Sequence, residues 1–175
     1  MGKITLILGG ARSGKSTCGL NLAKKYKRVA FIATCKPLDK EMRLRVKLHK
    51  ETRPPSWKTF EPGEDIVKLL QKIGSSFDVV VIDCLTLLVS GYFLKKMRQQ
   101  KIEEKINRLL KTLGAIRADS VLISNEVGLG IVPASKMGRE FRDIAGRVNQ
   151  LAAASSARVI FMLSGIPLEL KKGKL

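Results

Sequence analysis

Gly9-Gly10-Ala11-Arg12-Ser13-Gly14-Lys15-Ser16 is the stretch that decides the fold of this chain. It fits G-x-x-x-x-G-K-[ST], and it stands between Ile4–Leu8, an apolar β-branched run that reads as a strand, and Ser16–Tyr26, which reads as a helix. Each part has a physical task. Glycines let backbone N–H groups approach phosphate oxygens, and the opening helix aims the positive end of its dipole at the anion. Lys15 reaches the β- and γ-phosphates of a nucleoside triphosphate, and the Ser16 hydroxyl is offered to Mg²⁺. The bland alternative is a glycine-rich turn carrying a surface lysine. Placement directly between a strand and a helix argues against it. Gly9 to Ser16 as a block, Ala11, Arg12 and Ser13 included, is therefore the candidate nucleotide cradle. Lys15 is its candidate catalytic cation, read as a loop-edge residue without a core role.

Working outward, β-like runs alternate with helical patterns. Val29–Thr34 predicts a strand, and Asp39 is a plausible N-cap for a helix to about Lys50. Arg53-Pro54-Pro55 ends that helix, because proline disfavours helical backbone in the residue before it. Trp57–Phe60 predicts a short strand, Glu64–Ile73 a helix closed by Gly74, and Val79–Asp83 a strand apolar on both faces. Ile102, Ile106, Leu109, Leu113 and Ile116 form a helical stripe. Val121–Ser124, a helix over Ser135–Ala154, and two strands, Val159–Leu163 and Ile166–Leu170, complete the pattern. The alternation predicts an α/β fold of the P-loop NTPase type: one domain over residues 1–175, with a doubly wound, mostly parallel sheet. The last two strands are joined too closely to be parallel, so the C-terminal edge strand should be antiparallel.

Four more segments carry possible chemistry. Asp83 ends an apolar strand, where P-loop proteins hold a carboxylate for Mg²⁺, so Asp83 and Ser16 are the candidate metal pair; an N-cap role for Asp83 is the alternative. Ser124-Asn125-Glu126-Val127-Gly128-Leu129-Gly130-Ile131-Val132-Pro133 follows a strand and so lies at the ligand-binding edge of the sheet. There Glu126 either supports magnesium or positions an attacking hydroxyl, unless the segment is only a loop needing glycine dihedrals. His49, the only histidine, sits among Arg45, Lys47, Lys50 and Arg53. Neighbouring positive charge keeps an imidazole neutral, and a neutral imidazole is a nucleophile; a lone histidine is otherwise usually a surface or packing residue. Arg139, Arg142 and Arg147 either clamp phosphates or salt-bridge along an amphipathic helix.

Composition narrows the classes. The net charge of +18, from 33 Lys and Arg against 15 Asp and Glu, calls for acidic partners or simply a lysine-rich solvated surface. The cations are spread along the chain and aromatic residues make up only 5%, so no specific nucleic-acid surface is expected. No apolar run reaches the roughly 18–20 residues of a membrane span, and no secretory signal is recognisable. Cys18, Cys35 and Cys84 are isolated and odd in number, which reads as reduced cysteine in a cytoplasmic protein.

Taken together, GGARSGKS at 9–16, FIAT at 31–34, DKEMRLRVKLHKETRP at 39–54, SNEVGLGIVP at 124–133, FRDIAGRVNQLAAA at 141–154 and LSGIP at 163–167 resemble the adenosylcobinamide kinase / adenosylcobinamide-phosphate guanylyltransferase family of cobalamin biosynthesis. They appear in the family's order across nearly the whole chain. The resemblance implies two reactions. A nucleoside triphosphate, GTP or ATP, phosphorylates a corrinoid, adenosylcobinamide. GMP is then taken from GTP onto a histidine, which maps to His49, and passed to the corrinoid phosphate to give adenosylcobinamide-GDP. It further implies a homo-oligomer, a trimer. On the residues alone, a P-loop kinase of another small molecule or a RecA-like nucleic-acid-dependent ATPase stays open. The chain departs from some relatives in its very basic Gly91–Lys101 segment and its high charge.

Overall fold

The computed structural model describes residues 1–35, 40–61 and 65–172; Asp39 and Glu64 fall outside the described residues, as do the side chains of Met42, Arg45 and His49. In chain order the elements are β1 (Ile4–Gly9), α1 (Lys15–Ala23), β2 (Val29–Ala33), α2 (Lys40–Glu51), β3 (Lys58–Phe60), α3 (Ile66–Ile73), β4 (Val79–Asp83), α4 (Leu85–Leu94), α5 (Gln99–Ala115), β5 (Asp119–Asn125), α6 (Lys136–Ser155), β6 (Arg158–Leu163) and β7 (Ile166–Lys171).

The strands form one sheet in the order β3-β2-β4-β5-β1-β6-β7, parallel except for the β6–β7 pair. Strand alternation divides the core into two layers. Leu6, Ile32, Val80, Ile82 and Leu122 point to the face covered by α3, α4, α5 and α6. Ile7, Phe31, Val81, Ile123 and Ile160 point to the face covered by α1. This double burial is why β4 reads as an unbroken apolar run.

Several boundaries move for identifiable reasons. α3 starts at Ile66 because Asp65 caps it, its carboxylate accepting from the N–H groups of Val67 at 3.0 Å and Lys68 at 3.2 Å. α1 ends at Ala23, three residues before the expected Tyr26, whose hydroxyl donates instead to Asp119 at 2.7 Å. The helix the pattern does not announce is α4. It is apolar nearly all round, so it has no 3.6-residue period to read, and it is wedged against both the sheet and its neighbouring helices. The expected hairpin is present: Ser164 and Gly165 turn with φ of 51° and 85°, the two left-handed residues of a type I′ turn.

All these crossovers bring the carboxyl ends of β1, β2, β4 and β5 to one edge. β1 runs in register with β5 so that Gly9 sits opposite Asn125, and β2 with β4 so that Ala33 sits opposite Asp83.

Candidate functional site: the carboxyl edge of the sheet

The cradle begins where β1 stops. Gly9 has a φ of 153°, and a Cβ there would lie 2.5 Å from the Met162 carbonyl oxygen, so the turn out of the strand requires glycine. Gly14, at φ 91°, is the N-cap of α1 and brings no capping side chain. The first turn of α1 also carries no acid. Its N–H groups and dipole therefore face the loop with no acid of the helix itself to compete with an incoming phosphate. Lys15 folds over the loop, its ammonium donating to the Gly10 carbonyl and to Ser13 Oγ at 3.4 Å. It is buried, 7% exposed, which corrects the reading of a loop-edge side chain. Burial lowers its pKa, while Cys84 and the carboxylate of Asp83 oppose that shift. The β6–β7 turn braces the loop from outside, Gly165 N–H donating to the Ser13 carbonyl at 3.1 Å.

Asp83 reaches the same point from β4. Its Oδ2 accepts from Ser16 Oγ at 3.0 Å. The N-cap of α4 is Cys84, so the capping alternative for Asp83 does not hold. Thr34 locks this strand end to β2: its N–H donates to the Asp83 carbonyl at 3.1 Å, and its hydroxyl bridges the Cys84 carbonyl at 2.6 Å and the Cys84 N–H at 2.8 Å. A hydroxyl paired with one carboxylate suits Mg²⁺, which takes hard oxygen donors and completes its shell with water and substrate phosphates. Asp83→Asn keeps the shape and can still accept from Ser16. It should lower turnover about 10–100-fold and shift activation to higher magnesium concentration. A magnesium titration of initial rates checks this, and an unchanged rate with unchanged magnesium dependence would remove Asp83 from the metal pair.

The exit from β5 is held by a buried polar network that the motif analysis did not single out. Thr86 Oγ1 accepts from the Asn125 N–H at 2.7 Å and lies 3.0 Å from Ser124 Oγ. Ser124 Oγ donates to Asn149 Oδ1 at 2.7 Å, and Asn149 Nδ2 donates to the Asn125 carbonyl at 3.1 Å. Both backbone groups of Asn125 are thus gripped, one from α4 and one from α6, and the next N–H, that of Glu126, donates to the Gly9 carbonyl at 2.9 Å. A signal for Asn149 exists in the sequence: it falls on the buried stripe of α6 with Ile144, Ala145, Val148 and Ala152, where an amide must be hydrogen-bonded. Thr86 lies in the unpatterned apolar run of α4 and offers no such signal.

Glu126 stands beside the cradle, and its Oε1 accepts from the Gly128 N–H at 2.7 Å. Neither Gly128 nor Gly130 adopts positive φ, so special glycine dihedrals do not explain this loop. The Arg53 guanidinium carbon lies 3.7 Å from the Phe31 ring centroid, and its Nη1 is 3.5 Å from Thr59 Oγ1. Burial lowers its pKa and Asp83 raises it, so Arg53 shares the field of the site's carboxylate. His49 and Arg45 lie in α2, and their side chains are outside the described set; Lys47 and Lys50 are exposed. Two of the three α6 arginines have ion-pair partners, and the third bonds backbone carbonyls. Arg139 donates to the Pro133 and Ala134 carbonyls at 3.0 and 2.7 Å, Arg142 meets Asp143 at 3.4 Å, and Arg147 meets Glu103 at 3.8 Å. A hollow of about 430 Å³ lies at the opposite, amino edge between Lys3, Tyr26, Asp119 and Arg158. That is no conflict, because a phosphate cradle is a lip of backbone donors at the strand tips and not a deep cavity.

A glycine-rich loop opening a helix at this edge, with a strand-tip carboxylate on its serine, places the chain in the P-loop nucleotide-binding class. Residues 5–170 match the family described as cobinamide kinase / cobinamide phosphate guanyltransferase, and the chain belongs to it. Among curated proteins it is 36% identical to the bifunctional adenosylcobalamin biosynthesis protein CobU of Escherichia coli K12, over 95% of this chain and 98% of that one. The CobU of Salmonella typhimurium LT2 is 35% identical with the same coverage, and the CobP of Pseudomonas aeruginosa PAO1 is 36% identical over 95% and 96%.

Proposed function

We propose that this chain phosphorylates adenosylcobinamide from a nucleoside triphosphate and then, through a guanylyl-histidine at His49, transfers GMP from GTP to the product. Support comes chiefly from the Ser16–Asp83 pair at 3.0 Å beside an intact P-loop, within a chain that matches the family from residue 5 to 170.

In the kinase step the loop amides and Lys15 hold the β- and γ-phosphates and offset charge developing on the transferred group. Ser16 and Asp83 would hold Mg²⁺; when bound, the ion neutralises phosphate charge. Glu126, fixed beside Gly9, orients the corrinoid hydroxyl and accepts its proton as the oxygen bonds to the γ-phosphorus and the nucleoside diphosphate leaves. In the transfer step the neutral His49 ring attacks the α-phosphorus of GTP and pyrophosphate leaves. The corrinoid phosphate then attacks the same phosphorus, displacing the imidazole and forming the diphosphate link. Arg53, with Arg45, Lys47 and Lys50 on the adjoining helix, supplies positive charge for the α-phosphate and the departing pyrophosphate.

A homo-oligomer, a trimer by family resemblance, is part of this reading. Leu44 and Leu48 on α2, and Leu163, Ile166, Leu168 and Leu170 on the edge hairpin, are large apolar side chains left exposed, which is how subunit contacts look in an isolated chain. Among the described residues no helix is long and apolar enough to cross a membrane. All three cysteines are free, which fits the cytoplasmic location proposed here.

Purified protein, adenosylcobinamide, Mg²⁺ and GTP should yield the corrinoid phosphate first and the GDP-linked corrinoid later, resolved by chromatography. A product series that stops at the phosphate would mark a kinase alone. Hydrolysis that instead rises with added DNA at about 0.15 M salt would favour the nucleic-acid-dependent ATPase.

A further inference from the structure

The loop between β5 and α6 holds large apolar side chains out into solvent. Leu129 is 79% exposed, Ile131 97% and Val132 59%, and Met137 in the first turn of α6 is 61% exposed. Single exposed apolar residues are ordinary, but four on one short segment are not. The segment is also tied down. Glu126 N–H is bonded to Gly9, the Glu126 carboxylate holds the Gly128 N–H, and Arg139 holds the Pro133 and Ala134 carbonyls. At its far end Ser135 Oγ accepts from the Gly138 N–H at 3.1 Å. Chain from Val127 to Ser135 carries no charge, in a protein of net charge +18. The result is an anchored, uncharged apolar knuckle one hydrogen bond away from the phosphate cradle.

We infer that Leu129, Ile131 and Val132 are the contact for the corrin macrocycle of the substrate, and so determine corrinoid affinity in both reactions. This deepens the functional reading above and rests on it. The chemistry matches in three ways. A corrin ring is too large to enter a lip of backbone amides, so it must rest outside while its side-chain hydroxyl reaches the loop. Its rim carries methyl groups and its face is conjugated, so it needs apolar contact. Its cobalt-bearing ring is cationic, so an uncharged seat avoids the repulsion that the rest of this basic surface would impose. The edge hairpin is also bonded to the cradle, through Gly165 N–H and the Ser13 carbonyl. But its exposed Ile166, Leu168 and Leu170 share β7 with Glu169 and Lys171, and the exposed leucines of α2 stand among Arg43, Lys47 and Lys50, whereas no charge falls between Val127 and Ser135.

The test is a double variant, Leu129→Ser with Ile131→Ser, beside the conservative Ile131→Leu. The KM for adenosylcobinamide in the phosphorylation assay should rise roughly 10-fold in the double variant, as lost apolar contact to a substrate typically costs. The KM for the triphosphate and kcat should stay within about 2-fold, and Ile131→Leu should behave as wild type. A corrinoid KM equal to wild type, or a triphosphate KM that rises in step, would overturn the inference. So would a change in subunit number by light scattering, which would assign the knuckle to a subunit contact. Visible-absorbance titration of cobinamide into the protein without nucleotide reads the same affinity directly. If the wild type bound cobinamide but phosphorylated nothing, the functional reading would fail while the titration still decided the knuckle.

Discussion

Lys15→Ala should abolish both reactions, lowering each turnover by at least ~10²–10³-fold, equivalent to ~3–4 kcal/mol of transition-state stabilisation. In the proposed scheme both steps begin with a triphosphate in one cradle, and Lys15 is the cation folded over that loop, bonded to the Gly10 carbonyl and Ser13 Oγ. The loss should come from chemistry and not from unfolding. Although Lys15 is buried, its hydrogen-bond partners are atoms of the loop itself, and truncation removes one positive charge from a chain of net charge +18. The loop is at the surface edge, where water can satisfy the carbonyl left behind. A melting temperature within a few degrees of wild type is therefore expected. The measurement is paired: phosphorylation of adenosylcobinamide, and GMP transfer to the chemically supplied corrinoid phosphate. Near-normal rates in both would mean the loop does not hold the reacting triphosphate.

His49→Ala should split the activities. Guanylyl transfer should fall below detection, because no second histidine exists in the chain to take the GMP. Phosphorylation should keep most of its rate, because His49 is in α2 and the role proposed for it is distinct from that proposed for Lys15, Ser16 and Asp83 at the β1 and β4 tips. Melting curves of wild type and His49→Ala show whether the variant is folded. Assaying both steps on one preparation separates the cases. Loss of both in a folded protein would make the histidine structural, and retention of both would remove it from the mechanism.

The elements legible in the sequence are those whose own residues specify them. The P-loop is local: the need for glycine at Gly9 and Gly14 and for a cation at Lys15 is written in one octapeptide. The stripe of α5 and the hairpin turn at Ser164-Gly165 are equally self-contained. α4 was not legible, because a helix buried on several sides carries no periodic signal. The start of α3 was set by the Asp65 cap, a contact of side chain to backbone that the residue pattern does not locate. Asp83 was legible as a candidate, yet the decision between metal ligand and helix cap needed the 3.0 Å contact to Ser16, made across 67 residues of sequence. Thr86, Ser124 and Asn149 are polar residues brought together from three elements, and no spacing along the chain announces such a cluster. The arginines of α6 show the converse. Their pattern fits a phosphate clamp or a salt-bridged helix equally, and only the structure gives their partners: Asp143, Glu103 and two loop carbonyls.

Passage of GMP through a covalent bond to His49 is the proposed step on which the two-reaction scheme depends. The most direct measurement is incubation of the wild-type chain and His49→Ala with Mg²⁺ and GTP labelled at the α-phosphate, followed by denaturation and counting of protein-bound label. A phosphorus–nitrogen bond should give label on the wild type that is lost in acid and survives alkali, no label from γ-labelled GTP, and none on His49→Ala. Absence of label on an active wild type, alkali-labile label, or acid-labile label that persists on His49→Ala would contradict it.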